Sequence, residues 1–402
     1  MAISLDATQT LAAAMAVLFI GAAVQSRIRF LSENNIPVPV VGGLLFALFT
    51  TVGFLGFDLS IRFDMALKEP MMLVFFTTIG LGADLRMLAR GGPRLLLFAG
   101  VCFAYLVVQD ALGVAAAIGM DLHPLVGLLS SSITLSGGHG TGAAYAEKFA
   151  EVQNIAGVME LAMACATFGL ILGGIIGGPV AGRLIGANRL KSAPSDDSEL
   201  PVTTEASAPE AGISSDSVLW ALFVALLCLI GGQWLAASFS GSAFTLPGFI
   251  WCLFLGVVIR NLAIPLPRLE LHRPTVDMLG FLSLAIFLAM ALMSLRLWEL
   301  LSLAGPLLVM LTVQTVGMVL FATFITFRVM GSNYDAAVIA GGHCGFGLGA
   351  TPTAVANMEA LTQRYGPSPQ AFLVVPLVGA FFIDFLNALV IQGYLAMPLF
   401  AY

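Results

Sequence analysis

Two short stretches concentrate residue types that can hold ions: SGGHGTG at Ser136 to Gly142, and GGHCGFGLGATPT at Gly341 to Thr353. Gly137, Gly138 and Gly140 in the first, and Gly342, Gly345 and Gly347 in the second, allow φ above zero and close backbone approach. Ser136, Thr141, Thr351 and Thr353 add hydroxyls, and Pro352 is placed for the first turn of a helix. Where such a stretch splits a helix, the half-helix N-terminus offers N–H groups to an anion, and loosened carbonyls serve a cation. Further oxygen donors stand in apolar surroundings: Glu160 in VMELAMACATF, Asn357 beyond the second stretch, and Asp384 with Asn387 one helical turn on. Oxygens of this kind suit a hard monovalent cation. Ionisable groups inside membrane spans are expensive and read as functional by default, although Glu160 also fits an interface position and Asp110, after Gln109, could pair with a basic group.

His139 and His343 hold the same place in the two GGH words. With only His123 and His272 besides, and no HExxH spacing, no metal centre is indicated. Each histidine is expected to donate hydrogen bonds that hold its tip in shape, with direct ligand contact the second possibility. The five cysteines show no paired metal spacing and read as free buried thiols. No nucleophile with a base appears, so the chain does not read as an enzyme and implies no cofactor. No rings of charge suggest a channel pore. The seventeen basic residues are scattered and form no stripe for nucleic acid.

The elements that must position these residues are membrane spans. Hydrophobic residues make up 59% and charged residues 10% of the 402, a mean hydropathy of +0.97, far outside the range of soluble domains. Apolar runs long enough to cross a bilayer core of about 30 Å fall near 8–27, 38–57, 70–89, 94–118 and 155–183, then near 217–239, 246–263, 276–296, 303–330 and 370–395. The N-terminus lacks the basic region of a cleaved signal, so 8–27 is expected to remain as the first span. Between the fourth and fifth span of each half lies a further apolar stretch, 122–147 and 333–359, broken by the glycines. Small residues spaced only for helix packing are the alternative. The five glycines from Gly341 to Gly349 look too dense for a continuous helix.

The fold expected is an all-α integral membrane protein of two repeats, 1–188 and 218–402, joined by a polar linker, 189–217. Leu85-Arg86 with Gly92-Pro93, and Leu295-Arg296 with Gly305-Pro306, recur at matching places. With the N-terminus outside, Arg27, Arg29, Arg86, Arg90, Arg94, Arg183, Arg189, Lys191, Arg260, Arg268, Arg273, Arg328 and Arg364 fall on the cytoplasmic side, against Arg62, Lys68, Lys148 and Arg296 outside. This asymmetry favours outward termini and a cytoplasmic linker. Five spans per half make the second repeat inverted, so the first broken stretch dips in from outside and the second from the cytoplasm. Inverted repeats with discontinuous segments meeting at the midplane are a secondary-transporter architecture.

SITLSGGHGTGAA (Ser132 to Ala144), MACATFGLILGGIIGGPVA (Met163 to Ala181), NYDAAVIAGGHCGFGLGATPTAVANM (Asn333 to Met358) and FLVVPLVGAFFIDFLNALVI (Phe372 to Ile391) closely resemble the bacterial sodium/glutamate symporters. The resemblance spans nearly the whole chain and weakens only in the linker. It implies Na⁺-coupled uptake of L-glutamate across the inner membrane, with two reentrant loops forming the site. By further analogy with sodium/citrate carriers it implies a homodimer with an elevator motion. Ser136, Gly137, Gly138, His139, Gly140, Thr141, Gly345, Gly347, Thr351, Thr353 and Asp384 are the glutamate-binding candidates, with tip N–H groups and the Ser136, Thr141, Thr351 and Thr353 hydroxyls for its carboxylates and Asp384 or a tip carbonyl for its ammonium. Glu160, Gly342, His343, Asn357, Asp384 and Asn387 are the Na⁺ candidates. Another small carboxylate such as aspartate or citrate, or cation/proton exchange, is the alternative cargo within transport.

Overall fold

The computed structural model describes residues 2–33, 36–57, 60–83, 92–153, 157–192, 213–239, 246–263, 271–295 and 304–400. The helices of the first half are α1 (Ala7–Gln25), α2 (Arg29–Glu33), α3 (Val38–Phe57), α4 (Lys68–Gly82), α5 (Gly92–Gly119), α6 (Pro124–Leu128), α7 (Gly138–Gln153) and α8 (Val158–Asn188). Those of the second are α9 (Ser215–Ser238), α10 (Gly248–Ala263), α11 (Arg273–Met293), α12 (Ala304–Phe321), α13 (Phe327–Val329), α14 (Tyr334–Leu348), α15 (Thr351–Tyr365), α16 (Pro369–Phe381) and α17 (Ile383–Leu395). Among the described residues six helices are long and apolar enough to cross a bilayer, and the bent pair α16–α17, turning by 50°, makes a seventh. The span expected at 70–89 is helical over α4, its remainder lying outside the described residues. So do Leu85, Arg86, Arg90, Arg268, Arg296 and most of the linker.

The chain is not purely helical. Strand β1 (Ala2–Leu5) pairs in parallel with β2 (Ser60–Phe63), Ile3 opposite Ile61. Asp6 follows the strand and caps α1, accepting the N–H of Gln9 at 2.8 Å while the Gln9 side chain returns to the Asp6 N–H. That reciprocal cap is a sharp helix start, and it fixes where the first span begins.

The helices pack in two groups that each draw on both halves of the sequence. In one, α4 lies against α10 and α11, α1 against α3, and α9 against α10. In the other, α8 lies against α14 and α7, α5 against α6 and α12, and α16 and α17 close on α5 and α14. The groups meet through apolar and aromatic contacts: the Tyr145 ring stands edge-on to Phe249 at 5.2 Å, and Phe254 lies 5.6 Å from Phe385. At the rim, Lys68 Nζ pairs with Glu147 Oε1 at 2.8 Å. Large side chains such as Phe19, Trp234 and Phe281, each about two-thirds or more exposed, point outward from the bundle, as expected where lipid replaces water.

Helix α8, 31 residues and so about 46 Å long, serves as a ruler for both broken stretches. Near its start, Gly142 faces Ala162 and Met163; further on, His139 Nε2 meets Thr167 Oγ1 at 3.0 Å. Coming from the other end, Ser192 donates to the Pro367 carbonyl at 2.7 Å and Gly182 faces Tyr365. The break of the second stretch, Leu348 and Gly349, lies against Gly169. The two helix–break–helix units thus approach along α8 from opposite ends, and their breaks stop at neighbouring levels.

Four of the five glycines from Gly341 to Gly349 lie inside one continuous helix, α14, contrary to the density argument. The reason is packing. A Cβ at Gly169, Gly173 or Gly177 of α8 would stand 2.1, 2.8 or 2.5 Å from the carbonyl oxygens of Leu348, Gly345 and Gly341. Two small-residue stripes with a four-residue period face each other, which lets the backbones touch. Only Gly349, at φ −136 and ψ −104, takes part in the break.

Candidate functional site

The first unit runs through α6 into a π-helical turn, Leu129–Ile133, in which Ser131 leaves helical geometry (φ −116, ψ −129). Pro124 starts it, with His123 accepting the Leu125 N–H at 3.2 Å. Between the turn and α7, Ser136 and Gly137 form the break. Gly138 then sits at φ +68 with open space around it, so its conformation demands glycine. Gly137 is required for the opposite reason: a Cβ there would stand 2.7 Å from Ile133 O and 2.9 Å from Asn387 Nδ2.

Ser136 joins the first break to the last turn of α14. Its Oγ donates to Gln109 Oε1 at 2.8 Å and lies 3.1 Å from the carbonyl oxygen of Gly347, which also accepts Gln109 Nε2 at 2.9 Å. Gln109 stands on α5, buried, and its own carbonyl accepts Gln314 Nε2 from α12 at 2.9 Å. Gln314 also reaches Ser131 Oγ at 2.9 Å. Beside this chain, Asp110 Oδ1 accepts the Ser132 N–H at 3.1 Å, and Asn387 Nδ2 donates to the Ser132 carbonyl at 2.9 Å. The Gly137 N–H shares that carbonyl at 2.9 Å.

The second unit breaks at Gly349 and Ala350, and α15 starts with an uncapped first turn holding Pro352. An α-helix start leaves its first N–H groups without backbone partners, and Ala350 has no side chain to satisfy them. Thr353 is buried there and its Oγ1 has no hydrogen-bond partner. Four residues on, Asn357 Nδ2 donates to Gly173 O at 2.8 Å. Thr351 faces Gly379, where a Cβ would meet its Oγ1 at 2.7 Å.

The two GGH words occupy different places. His139 stands just after the first break and bonds Thr167. His343 lies in mid-helix, six residues before Gly349, its Nδ1 2.9 Å from Thr326 Oγ1 and its ring boxed by Phe98, Tyr105, Phe321 and Phe346. Gly342 is pressed against Met358 and Val375. Glu160 is buried in the first turn of α8, seven residues and about 10 Å before the level of Thr167. Asp384 is half-buried where α17 begins and has no hydrogen-bond partner among the described residues; its neighbour Asn387 makes the contact to the first break. Gly140 turns toward Phe75 and Leu284 of the other helix group, while Thr141 packs beneath Gly137.

A model of the sodium/glutamate symporter family matches residues 3–367. The sodium/glutamate symporter of Escherichia coli K12 is 50% identical over 399 residues, covering 99% of each chain, and that of Shigella flexneri matches equally. The one from Haemophilus influenzae is 46% identical over 386 residues, 96% of each. The chain belongs to the sodium/glutamate symporter family. It is therefore a membrane transporter and not an enzyme.

For a symporter the geometry offers two kinds of binding group side by side: an uncapped helix start with free hydroxyl at Thr351 to Thr353, and backbone carbonyls with amide and carboxylate oxygens below Ser136. Gln109, Ser130 to Ser132 and Gln314 were not singled out from the sequence. Their signal was present, since Gln109-Asp110 interrupts the middle of a 28-residue apolar helix and SSS precedes the first glycine stretch. A basic group was one possible partner for Asp110; among the described residues its carboxylate instead accepts the Ser132 backbone N–H.

Proposed function

We propose that this chain carries L-glutamate into the cell together with Na⁺ by alternating access in the bacterial inner membrane. The observation that carries the reading is the 50% identity to a sodium/glutamate symporter over the whole length, and the meeting of the two breaks at Ser136 and Gly347 supports it. In this reading 1–188 and 218–402 are inverted repeats joined by the cytoplasmic linker 189–217, both termini are periplasmic, and 122–147 and 333–359 are reentrant loops. The opposite approach of the two units along α8 supports that assignment.

The glutamate carboxylates lie at the starts of α7 and α15, with Ser136, Gly137, Gly138, His139, Gly140, Thr141, Thr351 and Thr353. The nearby Gly345 and Gly347 backbone and Asp384 face the ammonium side. Na⁺ takes oxygens of Asn357 and Asn387 and tip carbonyls; the boxed ring of His343, the packed Gly342 and the displaced Glu160 fit that role less well. Glutamate brings one net negative charge, so one Na⁺ reaches neutrality and two draw on the membrane potential, about 2.3 kcal/mol per charge per 100 mV. Na⁺ that orders the tips raises glutamate affinity, and by linkage glutamate raises Na⁺ affinity equally. The group holding both tips moves as a body against the other group, in a homodimer, as the elevator motion requires; the largely apolar contact between the groups supports this.

The test is uptake of labelled glutamate into proteoliposomes. Uptake should need inward Na⁺ and be competed by unlabelled glutamate. Equal uptake with Li⁺ or K⁺ alone, or stronger competition by citrate, would overturn the assignment.

A further inference from the structure

Three buried oxygen-bearing side chains on three different helical segments meet at one residue. The Ser132 hydroxyl lies beside the Asp110 carboxylate, Asn387 Oδ1 is buried without a partner, and all three side chains are no more than 1% exposed. The other atoms of the two outer side chains are committed to the Ser132 peptide, Asp110 Oδ1 on its N–H and Asn387 Nδ2 on its carbonyl. This holds both side chains against the Ser132 peptide. Gln314 Oε1, another buried oxygen without a partner, stands on the side chain that bonds the adjacent Ser131 hydroxyl.

A carboxylate taken out of water with no counter-charge costs several kcal/mol, and orphaned acceptors add to that cost. A cation at this place removes both penalties at once. One formal negative charge among neutral oxygens matches a monovalent hard ion; a divalent ion would remain undercompensated. Resting on the Na⁺-coupled reading, we propose that Asp110, Ser132 and Asn387 form a Na⁺ site beneath the first break. The site has a direct route to the substrate position. The Ser132 carbonyl also accepts the Gly137 N–H, so an ion that fixes Ser132 fixes the turn carrying Ser136 and Gly137.

The experiment has two readouts on the full chain: thermal unfolding in detergent with Na⁺ against choline, without glutamate, and glutamate uptake in proteoliposomes at varied Na⁺. Asp110→Asn keeps an oxygen for the Ser132 N–H and removes only the charge. It should lose most of the Na⁺-induced thermal shift and raise half-saturating Na⁺ about tenfold or more, with glutamate KM at saturating Na⁺ within about threefold of wild type. Ser132→Ala, which deletes one neutral oxygen, should raise half-saturating Na⁺ by about threefold to tenfold and covers the case in which Asp110→Asn fails to fold. Wild-type Na⁺ dependence in both variants overturns the proposal. So does an Asp110→Asn protein whose Na⁺ dependence is intact while its pH dependence is lost, which marks a proton site. If wild-type uptake proves independent of Na⁺, the symport reading fails, and the thermal shift still decides the site by itself.

Discussion

Ser136 Oγ lies 3.1 Å from the carbonyl oxygen of Gly347, 211 residues away in the chain, joining the first break to the last turn of α14 before the second. Gln109 closes the same contact from a third helix, accepting from Ser136 and donating to Gly347. Three segments far apart in the chain therefore share one small network at the level where α8 carries both breaks.

Removing the bridge should loosen the substrate position more than the fold. Gln109→Ala leaves the Gly347 carbonyl with one partner fewer and Gln314 with its backbone acceptor unchanged. Glutamate KM is expected to rise by about tenfold, the effect of about 1.4 kcal/mol, with a smaller change in maximal rate. Uptake kinetics at saturating Na⁺ measure this, and Ser136→Ala should act in the same direction.

Thr353 separates a ligand role from a structural one. Its hydroxyl makes no hydrogen bond within the protein, so Thr353→Val, nearly equal in shape, removes no internal contact. Unfolding temperature should stay close to wild type or rise, while glutamate uptake falls by at least about tenfold, as for a lost ligand hydrogen bond to a charged group. Full uptake in this variant would show that the hydroxyl does not touch the substrate.

The glycine stripes predict a graded stability series. Gly169→Ala places a methyl 2.1 Å from Leu348 O, and Gly173→Ala places one 2.8 Å from Gly345 O, whereas Gly186 on the same helix has nothing within 4 Å. Gly169→Ala should destabilise by about 1–3 kcal/mol through overpacking, Gly173→Ala by less, and Gly186→Ala should be neutral or stabilising by up to about 1 kcal/mol from helix propensity. Thermal unfolding in one detergent orders the three.

Cross-links distinguish motion between the helix groups from motion within one. A bis-maleimide joining Lys68→Cys to Glu147→Cys ties the two groups at their rim, and should abolish uptake. One joining Ser192→Cys to Pro367→Cys lies within a single group, and should leave uptake above about half of wild type. The five native cysteines are all buried and free, so the engineered pairs can be labelled in their presence. Uptake that survives the first link would remove the case for sliding groups.

The sequence made the helix inventory legible because lipid demands long apolar runs, and α1, α5, α8 and α12 start or end within a few residues of their expected limits. The broken units were also legible, since glycines gathered with Ser, Thr and Pro in the middle of an apolar stretch favour a turn over an unbroken span. The location of the second break was not. Gly341 to Gly347 look like helix breakers in isolation, and only their neighbours in space show them to be contact surface: Gly341 and Gly345 against the stripe of α8, Gly342 against Met358 and Val375, and Gly347 against Met318 and Tyr105. Gln109 stands out in the sequence only as a polar interruption of an apolar helix; its role comes from Ser136 and Gly347, which the chain brings to it from far away. The same holds for Asp110: a basic partner is one possibility in the sequence, and spacing says nothing about the Ser132 N–H that meets its carboxylate.

The glycine seam between α8 and α14 also has a mechanical meaning. Where backbone touches backbone there are no rotamers to yield, so the contact is stiff, and any shear along it would drive carbonyls into Cα atoms. The second break is thereby clamped to α8 as to a rail, on which the first rests through His139 and Thr167. Opening the site by swinging one hairpin away would have to tear that seam, whereas carrying rail, hairpins and cargo together leaves it untouched.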